Sequence, residues 1–227
     1  MRVFAISDLH LPFGNDKPMD VFGGWDNYTQ RLYENWQNVV TDDDTVVIPG
    51  DISWTLKLEN ALADFQFIHS LNGKKIISKG NHDYWWSTVT KINEFLETNG
   101  FFDISILHNN AYKVSNMVIC GTRGWVYDGT GESDDKVVRR EAARLESSLK
   151  SGLQLGNNIK VFLHYPFVYG DYVCEDIYAV LREYGIRDIY YGHIHGSGRT
   201  KIVPEYKGIK LHNISADLVG FVPQIVY

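Results

Sequence analysis

The chain has 227 residues, 44% of them hydrophobic and 22% charged, and carries a net charge of −6. At that length one domain, residues 1–227, is expected to bury roughly 70–75% of the surface of its unfolded form, so the fold needs no disulfide or metal staple. Average composition excludes disordered, collagenous and fibrous classes, and an acidic balance without any Lys or Arg block disfavours long nucleic acids and membrane surfaces as partners.

The first element, Arg2–Ser7, is short, apolar and β-branched, and reads as a buried strand ending at Asp8. It lacks the h-region of a secretory signal, and no stretch of about 18 apolar residues occurs anywhere, so a cytoplasmic protein is expected. Further buried strands are predicted at Thr45–Pro49, Lys75–Lys79, Met117–Cys120, Lys160–Leu163 and Asp188–Tyr191, each closed by a Gly, Pro or polar break. Helical spacing is seen at about 28–40, 57–71, 86–98, 135–150 and 173–185. Ala111–Ser115 and Met117–Cys120 read as a hairpin around Ser115 and Asn116, and Lys201–Tyr206 with Gly208–Ile214 as another. Alternating strands and helices imply an α/β layered fold, and the hairpins make its sheets mixed. Segments 11–27 and 123–134 read as loops. Only Cys120 and Cys174 are present, which excludes a thiolate zinc knuckle and fits a reducing compartment.

The residues just past each predicted strand carry the chemistry. Strand ends lead into Asp8-Leu9-His10, Gly50-Asp51, Gly80-Asn81-His82-Asp83, His164-Tyr165-Pro166 and Gly192-His193-Ile194-His195. In an α/β sheet, ligands bind beyond the carboxyl ends of strands, where loops converge on a rigid base. Asp and Asn oxygens mixed with imidazole nitrogens suit Mn²⁺, Fe²⁺ or Zn²⁺ better than a Ca²⁺ or Mg²⁺ site would. Asp8, His10, Asp51, Asn81, His164, His193 and His195 are too many donors for one ion, so two divalent metal ions sharing a bridge are expected. A carboxylate can bridge through its two oxygens and a singly donating imidazole cannot, so the bridge is an Asp.

This ordered set, D-x-H, G-D, G-N-H-D, a lone His and G-H-x-H, resembles the calcineurin-like metallophosphoesterase superfamily in its bacterial phosphohydrolase form. The resemblance spans Asp8 to His195. It implies two packed mixed β-sheets flanked by helices, an αββα sandwich. It further implies that Asp8, His10 and His195 hold one metal, that Asn81, His164 and His193 hold the other, and that Asp51 bridges them. A hydroxide shared by the metals would be the nucleophile, and His82, oriented by Asp83, would protonate the leaving group. The implied activity is hydrolysis of a phosphodiester or phosphomonoester of a small molecule or nucleotide. The alternative is a non-catalytic metal-binding scaffold of the same fold that binds a protein partner. Gly50-Asp51 continues as Ile52-Ser53-Trp54, without the Asp-Arg-Gly run of the protein-phosphatase branch, so a protein substrate is disfavoured.

Outside the motifs, His69, His108 and His212 read as ordinary structural histidines, and Arg123 and Arg199 as loop residues able to meet a phosphoryl group. Trp25, Trp54, Trp85, Trp86 and Trp125, with Tyr165, Phe167, Tyr169 and Tyr172, form either an aromatic rim for substrate or plain core packing.

Overall fold

The computed structural model describes residues 1–15, 17, 19–125 and 133–227. The first half of the chain forms β1 (Val3–Ala5), α1 (Tyr28–Val39), β2 (Thr45–Pro49), α2 (Leu62–Ser70), β3 (Lys74–Ser78), α3 (Val89–Thr98) and β4 (Ile104–Ile106). The hairpin β5 (Ala111–Val114) and β6 (Met117–Thr122) leads to α4 (Ser133–Leu153), β7 (Ile159–Leu163), β8 (Val168–Tyr169) and β9 (Tyr172–Val173). The chain closes with α5 (Glu175–Glu183), β10 (Asp188–Tyr191), β11 (Glu205–Tyr206), β12 (Ile209–Asn213) and β13 (Gln224–Ile225).

Two mixed sheets result, ordered β13-β1-β2-β3-β4 and β11-β12-β10-β7-β6-β5. Strands β1 to β4 run parallel, as do β6, β7, β10 and β12, while β13, β11 and β5 pair antiparallel on the flanks. Side chains alternate between two apolar environments, which is why these strands read as continuous hydrophobic runs. Val3, Ala5, Val47, Ile119, Phe162 and Tyr190 meet between the sheets. Phe4, Val46 and Ile48 face helices α1 to α3. Val118, Cys120, Val161, Leu163 and Ile189 face α4 and α5. The layering is therefore helix, sheet, sheet, helix, the expected α/β sandwich.

The differences from the sequence reading have local causes. The stretch expected as one helix over 57–71 splits into a 3-10 turn at Leu58–Asn60 and α2. The helix expected from 86 begins at 89, where Thr88 Oγ1 caps it by accepting the Lys91 N–H, because residues 81–87 are taken up by the loop that carries Asn81 and Asp83. Strands β4 and β13 went unread because three and two residues are too few to show alternation. Lys201 ends a 3-10 turn instead of opening a strand. Of the expected loops, residues 16, 18 and 126–132 lie outside the described residues. Cys120 and Cys174 are buried free thiols, each pushed by burial to about 11. No helix among the described residues is long and apolar enough to cross a membrane.

Phe162 is fully buried between the two sheets. Phe162→Ala should cost about 3–5 kcal/mol in a urea unfolding titration, and a change below about 1 kcal/mol would show that the sheets do not depend on this contact.

Candidate active site

All five motifs fall just past the carboxyl ends of parallel strands: Asp8 and His10 after β1, Asp51 after β2, Asn81 to Asp83 after β3, His164 after β7, and His193 and His195 after β10. The two sheets are joined at this edge. Ser7 N–H donates to the Ile214 carbonyl at 2.9 Å, and His164 Nδ1 lies 3.1 Å from the Pro49 carbonyl.

Packing so many polar groups at one edge requires an unusual backbone. Asp8, His10, Asp51 and His193 have φ of 60°, 46°, 52° and 68°, four of the nine described non-glycine residues in the left-handed region. Such conformations cost on the order of 1–3 kcal/mol each and cluster at working sites. Two motif glycines answer a close approach instead. A Cβ on Gly80 would collide with the amide and carboxylate of Asp51, and one on Gly192 with Ser7 and the Asp8 carboxylate.

The donors gather in two groups, Asp8 with His10 and His195, and Asp51 with His164 and His193, the candidate ligand atoms in each lying within 4.8 Å of one another. Asn81 joins the second group, its Oδ1 2.6 Å from His164 Nε2. Asp51 Oδ2 sits between the groups, 3.8 Å from His10 Nε2 and 3.5 Å from His164 Nε2. Its other oxygen accepts the His82 N–H at 2.8 Å. The Asp8 carboxylate is held by the His193 N–H at 2.9 and 3.0 Å.

The residues present fit divalent cations. Both ring nitrogens of His10 and Oδ2 of Asp51 are buried without a hydrogen-bond partner, a costly arrangement unless something coordinates them. Burial lowers His10 well below its ordinary value, and lowers His164 to about 3 and His193 to about 4, so the rings are neutral. With its proton on Nδ1 toward Pro49, His164 turns a bare Nε2 to Asn81 Oδ1, and two acceptors that close call for a cation beside them. Burial, then the neighbouring Asp8 and Asp83, pushes the Asp51 carboxyl well above its ordinary range. Positive charge would reverse these costs, and the N/O donor set without thiolate suits borderline divalent ions.

Asp83 corrects the sequence reading. Its carboxylate does not orient the His82 ring; it accepts from the N–H groups of Asp51, Ile52, Ser53 and Gly80 at 2.7–3.3 Å, and from Trp85 Nε1 at 3.0 Å. Fully buried, it is a clamp between the loops after β2 and β3. His82 has a buried Nδ1 without a partner, and burial followed by Lys17 lowers its pKa. Asp83 does not pair with this ring because its oxygens are taken up by the loop amides and the Trp85 indole; the carboxylate whose charge favours the protonated ring is Asp8.

A cleft of about 450 Å³ opens beside the first group, lined by His10, Trp25, Trp54, His82, His195 and Asp217 among others. Trp54 stacks on His10 with ring centres 4.6 Å apart. Trp85 and Phe167 are core residues instead, and Tyr165 packs on His193 at 4.2 Å. His69 and His212 pair with Asp103 and Asp188, as structural histidines do. Asp217 escaped the sequence reading because no motif surrounds it; its Oδ1 lies 3.9 Å from His195 Nδ1, and its Oδ2 accepts the Gly196 N–H.

This constellation is that of a metallophosphoesterase. The calcineurin-like phosphoesterase family matches residues 1–197, and the chain belongs to it. Its members are generally metal-dependent hydrolases. An uncharacterized protein of Methanocaldococcus jannaschii is 29% identical over 133 residues, 56% of this chain and 68% of its own. Similar solved structures include a phosphopantetheinyl hydrolase of Mycobacterium tuberculosis (12% identity, TM-score 0.54, 99% and 95% of the two chains). A protein of unknown function from Aquifex aeolicus (16%, 0.54, 99% and 95%) and a Thermus thermophilus protein (12%, 0.56, 99% and 98%) share the fold as well.

Two outcomes test this geometry. Asp83→Ala leaves four backbone N–H groups and an indole without their acceptor and should cost about 3–5 kcal/mol, read by urea unfolding; a fully stable variant would refute the clamp. His164 and His193 titrate below their ordinary 6.5, so the stability they confer is complete above about pH 6.5 and is lost as pH falls toward 4 and then 3. The unfolding midpoint of the EDTA-treated chain should drop over that window. His164→Gln should flatten the drop, because it removes the more strongly lowered of the two rings, while Asp51, shifted up, acts in the opposite direction in both proteins.

Proposed function

We propose that the protein is a dinuclear-metal phosphoesterase acting on a small phosphorylated molecule, with nucleotides among the candidate substrates. The observation that carries this reading is the pair of donor groups with one carboxylate oxygen, Asp51 Oδ2, between them. Asp8, His10 and His195 would hold one ion, Asn81, His164 and His193 the other, and Asp51 would serve both; Mn²⁺, Fe²⁺ and Zn²⁺ suit these donors. Two such ions, when bound, supply positive charge to the phosphoryl oxygens and lower the pKa of a coordinated water from ~15.7 toward ~7.

The chain's own groups do the rest. Trp25 and Trp54 wall the cleft and leave one side open for the ester's organic part. His82 faces the same cleft and protonates the leaving oxygen. Neutral in the free protein, its ring gains a proton when an anionic phosphoryl group replaces water beside it, since a nearby negative charge favours the imidazolium. Lys17, whose Nζ lies 3.4 Å from the centre of the Trp54 ring, adds positive charge beside the cleft.

Protein stripped of metal and reconstituted with Mn²⁺, Fe²⁺, Zn²⁺ or Mg²⁺ should hydrolyse bis(p-nitrophenyl) phosphate or p-nitrophenyl phosphate; two bound ions with no turnover of any ester would favour the scaffold reading. Asp51→Asn should lower the metal content of the purified protein, measured by elemental analysis. His82→Ala should keep its metals and slow alkyl esters by about 10²–10⁴-fold while sparing activated aryl esters; equal slowing of both would remove the proton-donor role.

A further inference from the structure

A second cavity, of about 340 Å³, lies outside the donor groups and shares no lining residue with the aromatic cleft. Four of its walls are cationic: Lys79, Arg123, Arg140 and Arg144. Among its described lining residues Glu141 is the one carboxylate. Glu141 is fully buried and already engaged. Its Oε2 accepts from Thr122 Oγ1 at 2.7 Å, and its Oε1 from Arg144 Nη1 at 2.7 Å. Arg123 and Arg140 reach the same oxygen only at 4.0 Å. Arg123 packs its guanidinium on Trp125, 4.8 Å from the ring centre, and its Nε is buried with no partner. Among the described residues one carboxylate thus faces four cations, in a protein whose net charge is −6.

An ion network built only to anchor α4 would balance its charges, since unmatched like charges in a partly dry pocket repel and forfeit solvation. Among the described lining residues the surplus is positive, rich in guanidinium and spread around a cavity, the chemistry that receives phosphate through forked N–H pairs. The pocket also shares its loops with the second donor group. Lys79 immediately precedes Gly80-Asn81, and the Arg123 carbonyl accepts the N–H groups of His164 and Tyr165.

We infer that this pocket binds a phosphate group, separately from the donor groups that would hold the metals. The group is a second phosphate carried by the substrate, an assignment that rests on the phosphoesterase reading; free phosphate is the other source of the same chemistry.

The test begins with the full chain in EDTA, titrated with inorganic phosphate by calorimetry. One equivalent should bind, and Arg140→Gln, a substitution at an exposed helical position, should weaken binding about tenfold. Arg144→Gln should do the same, with circular dichroism confirming that each variant is folded. No binding by the parent chain, or binding that both folded variants retain, overturns the site. The reconstituted enzyme then separates the sources. If the second phosphate belongs to the substrate, Arg140→Gln raises KM for a nucleoside 3′,5′-bisphosphate several-fold more than KM for p-nitrophenyl phosphate. An unchanged ratio, with phosphate binding weakened, overturns the substrate assignment and assigns the pocket to free phosphate. Absence of turnover with every ester would count against the phosphoesterase reading alone, because the EDTA titration stands without it.

Discussion

Five donors converge on the buried carboxylate of Asp83, and the arrangement of the site depends on that convergence. The loops after β2 and β3 carry Asp51 and Asn81; the first is paired along its other side with the segment after β1, through His10 N–H to the Asp51 carbonyl and Leu11 N–H to the Ile52 carbonyl. Asp83 takes up the N–H groups that would otherwise be unpaired and ties one loop to the other. Because the tie is made of backbone groups, it sets main-chain positions, and these in turn aim the side chains. The two loops approach so closely that Gly80 has no room for a Cβ. Asp51 is held at the same place, with one oxygen on the His82 N–H and the other buried without a hydrogen-bond partner.

The sandwich supplies what that clamp requires. Parallel strands buried on both faces make a base that does not yield, and their carboxyl ends lie along one edge. Left-handed conformations at Asp8, His10, Asp51 and His193 persist there because ladder hydrogen bonds and three apolar cores offset their cost. Strain, unpaired nitrogens and a raised carboxylate pKa all fall on the same few residues. A site prepared for cations accounts for the last two directly, since each is a cost that positive charge relieves, and the strained backbone is what holds the donors in place.

Electrostatically the molecule is divided. It is acidic overall, yet the donor edge calls for cations and the neighbouring pocket holds a surplus of them. On the proposed reading both features favour phosphorylated molecules, since at contact distances local charge counts for more than the net charge of the whole molecule.

The donor residues were legible in the sequence because metal-binding side chains are few in kind and each followed a strand whose apolar run was unmistakable. The α/β layering was legible for the same reason, as the six central strands carry the clearest continuous apolar runs and alternate with helical spacing. Strands β4 and β13 were not, since three and two residues hold no pattern and their pairing is decided by the neighbouring edge. The role of Asp83 was beyond sequence as well. Adjacency to His82 suggested a contact, whereas the Asp83 carboxylate is taken up by backbone N–H groups of two loops and by the Trp85 indole. Asp217 and the Arg123 pocket belong to the same class, for they are made of residues far apart in the chain. The amino-acid order determined which chemistries are present and that strands would present them. Only the tertiary structure decided which groups face one another, because a carboxylate serves as ligand, clamp or counter-ion according to the donors and charges that packing brings within a few ångströms of it.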